Sequence, residues 1–290
     1  MVDRGQEEGK MQSIQELIEV ALKEDIGSGD ITTESLVDPD QLGAGRIIAK
    51  EDLVLAGIEV AKSVFITLDP DVVFHHDVKD GQRLKSGDVI MGAEGKLGCL
   101  LTGERTALNF LQRLSGIATG VRSYVDALEY PQVRLVDTRK TLPGFRVLEK
   151  YAVRVGGARN HRMGLYDGVL IKDNHLATCG GIQVAIEKVR NRVSHLVRIE
   201  VEVSSLSEVK AAVAAGADVI MLDNMDFQQI KEAVSLIDGK TVVEVSGNIT
   251  KDNLNLIAST GVDIISIGAL THSARSMDIS MDLDTFDLLL

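Results

Sequence analysis

The chain has 290 residues, 44% hydrophobic and 26% charged, with a net charge of −12 at pH 7, enough for one large domain or two smaller ones around a sizeable core. An acidic balance with no tryptophan and 3% aromatic residues argues against a nucleic-acid surface, which needs basic charge and rings to stack on. No apolar run approaches the roughly 20 residues of a membrane helix, so neither nucleic acid nor membrane is an expected partner.

The opening segment MVDRGQEEGK is polar and reads as a loose tail rather than a secretory signal. Residues 12–25 carry Ile14, Leu17, Ile18, Ala21 and Leu22 on one helical face, and Gly27-Ser28-Gly29-Asp30 stops the helix. Short strand patterns follow at 46–49 and 72–74, with a helical pattern over 57–68 between them. Asp80-Gly81 and Ser86-Gly87-Asp88 supply turn chemistry around short apolar runs up to Gly95. A long helix is predicted over about 102–123 from Ala107, Leu108, Leu111, Leu114, Ile117, Ala118 and Val121. Arg105 lies near its start and, taken alone, reads as a surface cation. Cys99 and Cys179 fit no metal or redox spacing, so both are expected to stay reduced and inert in a cytoplasmic protein.

After Tyr130-Pro131 the character changes. Apolar runs at 133–136, 169–171, 197–203, 219–222, 242–245 and 264–267 alternate with helical patterns, which implies parallel strands. Ser205 to Glu208 form a capping box ahead of Val209, Ala212 and Val213, and Asp226 and Thr250 are placed to cap the next two helices. A polar group recurs near the carboxyl end of each run: Asp137-Thr138-Arg139, Lys172-Asp173-Asn174, Glu202, Asp223-Asn224, Glu244-Val245-Ser246-Gly247 and Ser266-Ile267-Gly268. A β/α barrel builds its site at those ends. Six strands in about 140 residues fall short of a complete eight-stranded barrel. The pattern by itself leaves an incomplete barrel and an open doubly wound sheet both standing.

The densest chemistry lies between Arg139 and Lys172. There Arg139, Lys140, Arg146, Lys150, Arg154, Arg159, Arg162 and Lys172 meet only Glu149 and Asp167, eight cations against two acids and a local charge near +6. Such a cluster in an acidic chain suits a small polyanion. Arg146, Lys150 and Arg154, spaced by four, read as a solvated helix face, whereas Arg139 and Lys172 sit at strand ends. Arginine grips a carboxylate through two parallel hydrogen bonds, and lysine supplies a compact point charge. Glu202 and Asp223, on neighbouring strand ends, can bind a metal, act as acid and base, or stabilise a developing cation. Their bland reading is that they anchor loop amides. Glu200 shares the side-chain parity of Glu202 and can point the same way. Ser246-Gly247-Asn248 and Ser266-Ile267-Gly268 offer backbone N–H groups where late barrel loops bind phosphate. A lone histidine such as His161 is more often structural; His175 can order its loop, and His75, His76, His195 and His272 show no cluster.

Asp137-Thr138-Arg139-Lys140-Thr141, Gly157-Ala158-Arg159-Asn160-His161-Arg162 and Lys172-Asp173-Asn174-His175, in that order, resemble the quinolinate phosphoribosyltransferase family, the decarboxylating nicotinate-nucleotide pyrophosphorylases. The likeness runs from Glu24-Asp25-Ile26-Gly27-Ser28-Gly29-Asp30-Ile31-Thr32 to Ser266-Ile267-Gly268, most of the chain. It implies an α/β fold of the type II phosphoribosyltransferase kind. An N-terminal α/β sandwich would span 1–115 and an incomplete β/α barrel 116–274, with a tail over 275–290 packing back on the first domain.

The resemblance implies transfer of phosphoribose from phosphoribosyl pyrophosphate (PRPP) to quinolinate with loss of CO2. The products would be nicotinate mononucleotide and pyrophosphate, on the de novo route to NAD. Catalysis would fall to Glu202, Asp223, Lys140 and Lys172. Thr138 joins the substrate-binding set; Arg139, His161, Arg162 and Lys172 are implied to hold quinolinate. Arg105 is implied to arrive from the neighbouring subunit of a homodimer or hexamer. Lys140, Glu202, Asp223 and the loops Ser246-Gly247-Asn248 and Ser266-Ile267-Gly268 are implied to hold the donor. Mg2+ is expected mainly as the ion carried by PRPP, and no residue is assigned as a protein metal ligand. The family usually has glycine where Asn248 stands, and asparagine tolerates left-handed backbone better than most residues.

Three rivals remain in view. A nicotinate phosphoribosyltransferase of related fold would take a single carboxylate. An aldolase forming a Schiff base on Lys172 is disfavoured by the dense arginine cluster. A non-catalytic phosphate-binding barrel would have little use for the paired acids.

Overall fold

The computed structural model describes residues 4–285. In chain order the first elements are α1 (Arg4–Ile26), α2 (Ile31–Leu36), β1 (Leu42–Ala49), β2 (Leu53–Val54), α3 (Ile58–Leu68), β3 (Val73–His75), β4 (Arg83–Leu84), β5 (Val89–Lys96) and α4 (Leu97–Ala127). There follow β6 (Arg134–Val136), α5 (Arg146–Gly156), β7 (Val169–Ile171), α6 (Asp173–Cys179), α7 (Ile182–Arg190), β8 (Ile199–Val203) and α8 (Leu206–Ala214). The chain continues through β9 (Val219–Asp223), α9 (Phe227–Ile237), β10 (Val242–Ser246), α10 (Lys251–Ala258), β11 (Ile264–Ser266), α11 (Ala269–His272) and β12 (Ile279–Thr285). Two compact units result. One takes in the described chain up to Arg122, then Leu142–Gly157, then the chain from Ala274 on; the other holds Ser123–Thr141 and Ala158–Ser273.

The first unit is built on an antiparallel sheet in the order β12-β1-β5-β3. β1 buries alternate residues, as a strand with one covered face must. Gly45 leaves space there for the Met281 side chain of β12, which an added Cβ would strike. The segment expected to pack back on this domain from Met281 onward is thus an edge strand as far as Thr285; residues 286–290 lie outside the described residues. At the other end, the expected loose tail is helical from Arg4. The amphipathic pattern of α1 buries Ile18 and Leu22, and α4 buries every apolar position that predicted it, from Ala107 to Val121.

One expectation fails in α5. Arg154 is exposed, but Lys150 has 0% of its surface accessible, so the three cations do not form one solvated face. Each step of four residues turns a helix by about 40°. The spacing therefore fans the cations round the helix and brings Lys150 beside buried Val153. Its neighbour Glu149 is also buried and pairs with Arg113 at 2.6 Å.

The second unit is a sheet of six parallel strands, ordered β6-β11-β10-β9-β8-β7. First and last strands of the unit are neighbours, while β6 and β7 are the two edges, as in a barrel with one open seam. Laid flat, β6 and β8 would lie about 19 Å apart at the usual 4.8 Å strand spacing. Yet Arg159 bridges to Val136 of β6, and His161, two residues on, reaches Glu200 of β8 at 3.1 Å. The sheet is therefore curled into an incomplete barrel. Its helices start where the caps predicted. Asp226 accepts from the Gln229 N–H at 2.9 Å and Gln229 accepts from the Asp226 N–H at 2.9 Å, while Ser205 accepts from the Glu208 N–H at 3.3 Å.

Candidate active site

All six strands point their carboxyl ends into one cavity of about 620 Å3. Thr138, Arg139 and Lys140 enter after β6, His161 and Arg162 from the loop beyond it and Lys172 after β7. Glu202 and Asp223 come from β8 and β9; Ser246, Gly247 and Asn248 end β10; Ser266, Ile267 and Gly268 end β11. The cations and acids singled out in the barrel thus share a single space. Arg146, Lys150, Arg154 and Arg159 do not line it.

Asp137 arranges the cationic side. Fully buried at the end of β6, its carboxylate accepts from the His161 N–H at 2.8 Å and from Asn160 Nδ2 at 2.7 Å. The Arg159 N–H bonds the Leu135 carbonyl at 2.9 Å. The loop carrying Arg162 is thereby fastened beside the strand that carries Arg139. The Arg162 guanidinium donates to the Gly168 carbonyl at 2.9 Å. Burial, then the charge of Arg139, lowers its pKa, with Glu200 and Asp167 opposing.

Lys172 Nζ donates to Glu202 Oε2. His175 orders the Lys172 loop, its Nδ1 accepting the Lys172 N–H at 2.9 Å. On the acidic side, Asn224 donates to Asp223 Oδ2 at 2.7 Å and accepts from Asn248 Nδ2 at 3.2 Å. Three residues in two neighbouring loops use left-handed backbone: Asn224 at φ 53°, Gly247 at φ 98° and Asn248 at φ 52°. Asn248 does adopt the conformation that a glycine would take there. Gly268 gives way to the Lys140 stem, since a Cβ would lie 2.9 Å from Lys140 Cδ.

At the cavity wall His161 meets two buried acids. His161 Nε2 is 3.1 Å from Glu200 Oε2 and 3.7 Å from Glu244 Oε1, and all three groups place ligand-type atoms within 4.8 Å of one another. Burial, then the neighbouring Glu200 charge, pushes the Glu244 carboxyl up to about 7.

Residues 117–282 match the family model described as "Quinolinate phosphoribosyl transferase, C-terminal domain", and the corresponding N-terminal domain model matches residues 30–115. The chain belongs to the quinolinate phosphoribosyltransferase family. A probable nicotinate-nucleotide pyrophosphorylase [carboxylating] of Bacillus subtilis is 47% identical over 260 residues, covering 90% of each chain. Quinolinate phosphoribosyltransferase [decarboxylating] 1b of Nicotiana tabacum is 38% identical, covering 93% of this chain and 82% of its own. The crystal structure of NadC from Streptococcus pyogenes superposes with a TM-score of 0.91 at 45% identity, over 94% of this chain and 97% of that one.

Against this family background, Arg105 stands apart. It is exposed on α4 and is not among the residues lining the cavity. Six lining residues were not singled out for the site from sequence: Leu170, Met221, Asn224, Ile249, Ala269 and His272. Asn224 follows a site acid directly, and His272 closes the four-residue helix α11 that follows the Gly268 loop. Glu244 was visible only as part of a strand-end motif. Its parity with Ser246 was the available signal, because even-numbered residues of β10 face the barrel interior. No helix among the described residues is long and apolar enough to cross a membrane.

Proposed function

We propose that this protein transfers the phosphoribosyl group of PRPP to quinolinate and releases CO2, yielding nicotinate mononucleotide and pyrophosphate for NAD biosynthesis. One observation carries the reading. In a chain of this family, Arg139, Lys140, Arg162 and Lys172 meet Glu202 and Asp223 in a single cavity at the carboxyl end of a parallel barrel. A single-carboxylate substrate would need fewer cations.

The chemistry follows from charge. The pyridine nitrogen lone pair attacks C1 of the ribose while the bond from C1 to the pyrophosphate oxygen breaks. Negative groups near C1 stabilise the oxocarbenium character of that transition state, a role suited to Glu202 and Asp223. Arg139, His161, Arg162 and Lys172 hold the two ring carboxylates and orient the nitrogen. The bond from ring carbon 2 to its carboxylate then breaks. CO2 leaves, the electron pair stays on the carbon beside the positively charged nitrogen, and a proton from solvent completes the product. No covalent enzyme intermediate is needed; alignment and electrostatics suffice.

On the donor side, Lys140 and the Ser246-Gly247-Asn248 and Ser266-Ile267-Gly268 loops face the phosphates. Magnesium enters as part of the substrate, bound to the pyrophosphate. Carboxylate oxygens such as those of Glu202 and Asp223 suit the neighbourhood of a hard cation. Arg105 completes the quinolinate site from a second subunit of a homodimer, and a hexamer is the larger assembly compatible with that arrangement. A cytoplasmic setting agrees with two free cysteines kept reduced.

The decisive experiment mixes purified protein with quinolinate, PRPP and Mg2+ and measures CO2 and nicotinate mononucleotide. Equimolar release of both supports the reading. Turnover of nicotinate with none of quinolinate would replace it by the single-carboxylate reading.

A further inference from the structure

β6 and β11 lie side by side in the barrel, so the loops that leave them are neighbours as well. The Ile267 N–H donates to the Val136 carbonyl at 2.9 Å, which continues the ladder past the last strand pair. Beyond that bond both loops turn. On the β6 side the turn is held locally: the Lys140 N–H donates to Thr138 Oγ1 at 3.1 Å and the Thr141 N–H to the Arg139 carbonyl at 2.9 Å. On the β11 side the N–H groups of Thr271 and His272 both donate to the Gly268 carbonyl, each at 3.2 Å.

A side chain crosses between the two turns. Thr271 is fully buried, and its Oγ1 lies 2.8 Å from the Lys140 carbonyl and 3.2 Å from the Gly268 carbonyl. A hydroxyl carries a single hydrogen. The Gly268 carbonyl already accepts from two backbone groups, so the hydrogen goes to Lys140, the shorter contact. The Lys140 stem then runs over Gly268, where a Cβ would lie 2.9 Å from Lys140 Cδ. Carbonyl and stem of the lysine are thus both held by the short turn from Gly268 to Thr271. Lys140 is otherwise exposed, and a long side chain binds an anion more tightly when its ordering cost is met before the ligand arrives.

We propose that Thr271 is a positioning residue for Lys140. Its buried hydroxyl, bonded to the Lys140 carbonyl, registers the cationic turn after β6 against the glycine turn after β11, so that the Lys140 ammonium is presented to the anionic sugar donor at a fixed place. Thr271 is not among the residues lining the cavity, and it acts through the lysine alone. Without the hydroxyl the turn loses its tie to the neighbouring loop, and the lysine has to be ordered at the moment of binding. This deepens the assignment of PRPP as donor and rests on it for what Lys140 binds.

Calorimetric titration with PRPP in the presence of Mg2+ reads the effect without requiring turnover. Thr271→Val keeps the volume and removes the hydroxyl; it should weaken PRPP binding about fivefold to tenfold, the scale of one hydrogen bond. Thr271→Ser keeps the hydroxyl and should recover most of that loss. In a Lys140→Met background, Thr271→Val should weaken binding by less than about twofold more, since both changes act through one side chain. KM for quinolinate in Thr271→Val should move less than about twofold. Parental PRPP affinity in Thr271→Val, a loss that serine fails to recover, a full loss that persists without the Lys140 ammonium, or an equal rise in KM for quinolinate overturns the proposal. Should Thr271→Val prove unfolded by circular dichroism, Thr271→Ala takes its place in every comparison; unfolding of both would show the side chain serving the fold alone and would equally overturn it. The donor assignment is judged on the unaltered protein. No PRPP binding there removes that reading, whereas binding there with no change in Thr271→Val removes only the role of Thr271.

Discussion

Replacing Gly247 by alanine probes the donor side of the cavity with a single methyl group. At φ 98° an alanine is in a region unfavourable for L-residues, at about 1–2 kcal/mol. The new Cβ would also lie 2.8 Å from Asn224 Cγ and 3.1 Å from its backbone N, and closer still to Oδ1. The Asn224 side chain has to leave. Its bonds to Asp223 at 2.7 Å and Asn248 at 3.2 Å then break, each at about 1 kcal/mol. The sum is about 3 kcal/mol, which corresponds to roughly a hundredfold in donor binding if it is expressed there. Initial rates against PRPP should show KM for the donor rising by that order, with KM for quinolinate changed less than about twofold and the far-ultraviolet circular dichroism unaltered. A donor KM within twofold of the parent would show that the Asn224–Asp223 brace does not shape the phosphoribosyl site.

Three further outcomes are expected. Arg139→Ala and Lys172→Ala should each abolish release of CO2 and nicotinate mononucleotide while leaving the circular dichroism spectrum unchanged; near-normal rates in both would contradict the assignment of the cavity. If Arg105 reaches a partner's site, mixing inactive Arg105→Ala and Lys172→Ala subunits should restore roughly a quarter of the activity through hybrids with one intact site, as random pairing in a twofold dimer predicts, and no recovery after demonstrated exchange would place Arg105 elsewhere. Glu244 has a raised folded pKa, so its contribution to stability is present below its ordinary value and lost as pH rises through about 7, by on the order of 3 kcal/mol. Urea melts from pH 4 to 8 should therefore show Glu244→Gln gaining on the parent as pH rises; a constant difference between the two would remove the burden assigned to that carboxyl.

The barrel was legible because its strands are short, apolar and punctuated by polar residues at one end only. That rule alone brought Arg139, Lys172, Glu202, Asp223 and the two glycine loops to the same cavity. Closure of the sheet was not legible from alternation, because an open and a curled parallel sheet bury strands with the same composition; it emerges from His161 reaching β8. Glu200 was recognised as sharing the direction of Glu202, whereas Glu244 passed for one member of a motif until its burial was seen. Lys150 shows the converse limit. Spacing by four marks neighbours on a helix but carries no information about which side a neighbouring element covers.

The edge strand β12 has a consequence for biosynthesis. Gly43 pairs with Thr285 and Ala49 with Ile279, so the sheet of the first unit joins residues more than 200 positions apart in the chain. A ribosome exposes β1 and β5 long before β12, the other partner of β1, exists. Non-local pairing of this kind is slow, and an open strand edge is prone to misassociation in the interval. The barrel strands, by contrast, all lie between Arg134 and Ser266 and can assemble while the first sheet is still waiting for its final strand. In the order of manufacture, the half of the molecule that emerges first is completed last.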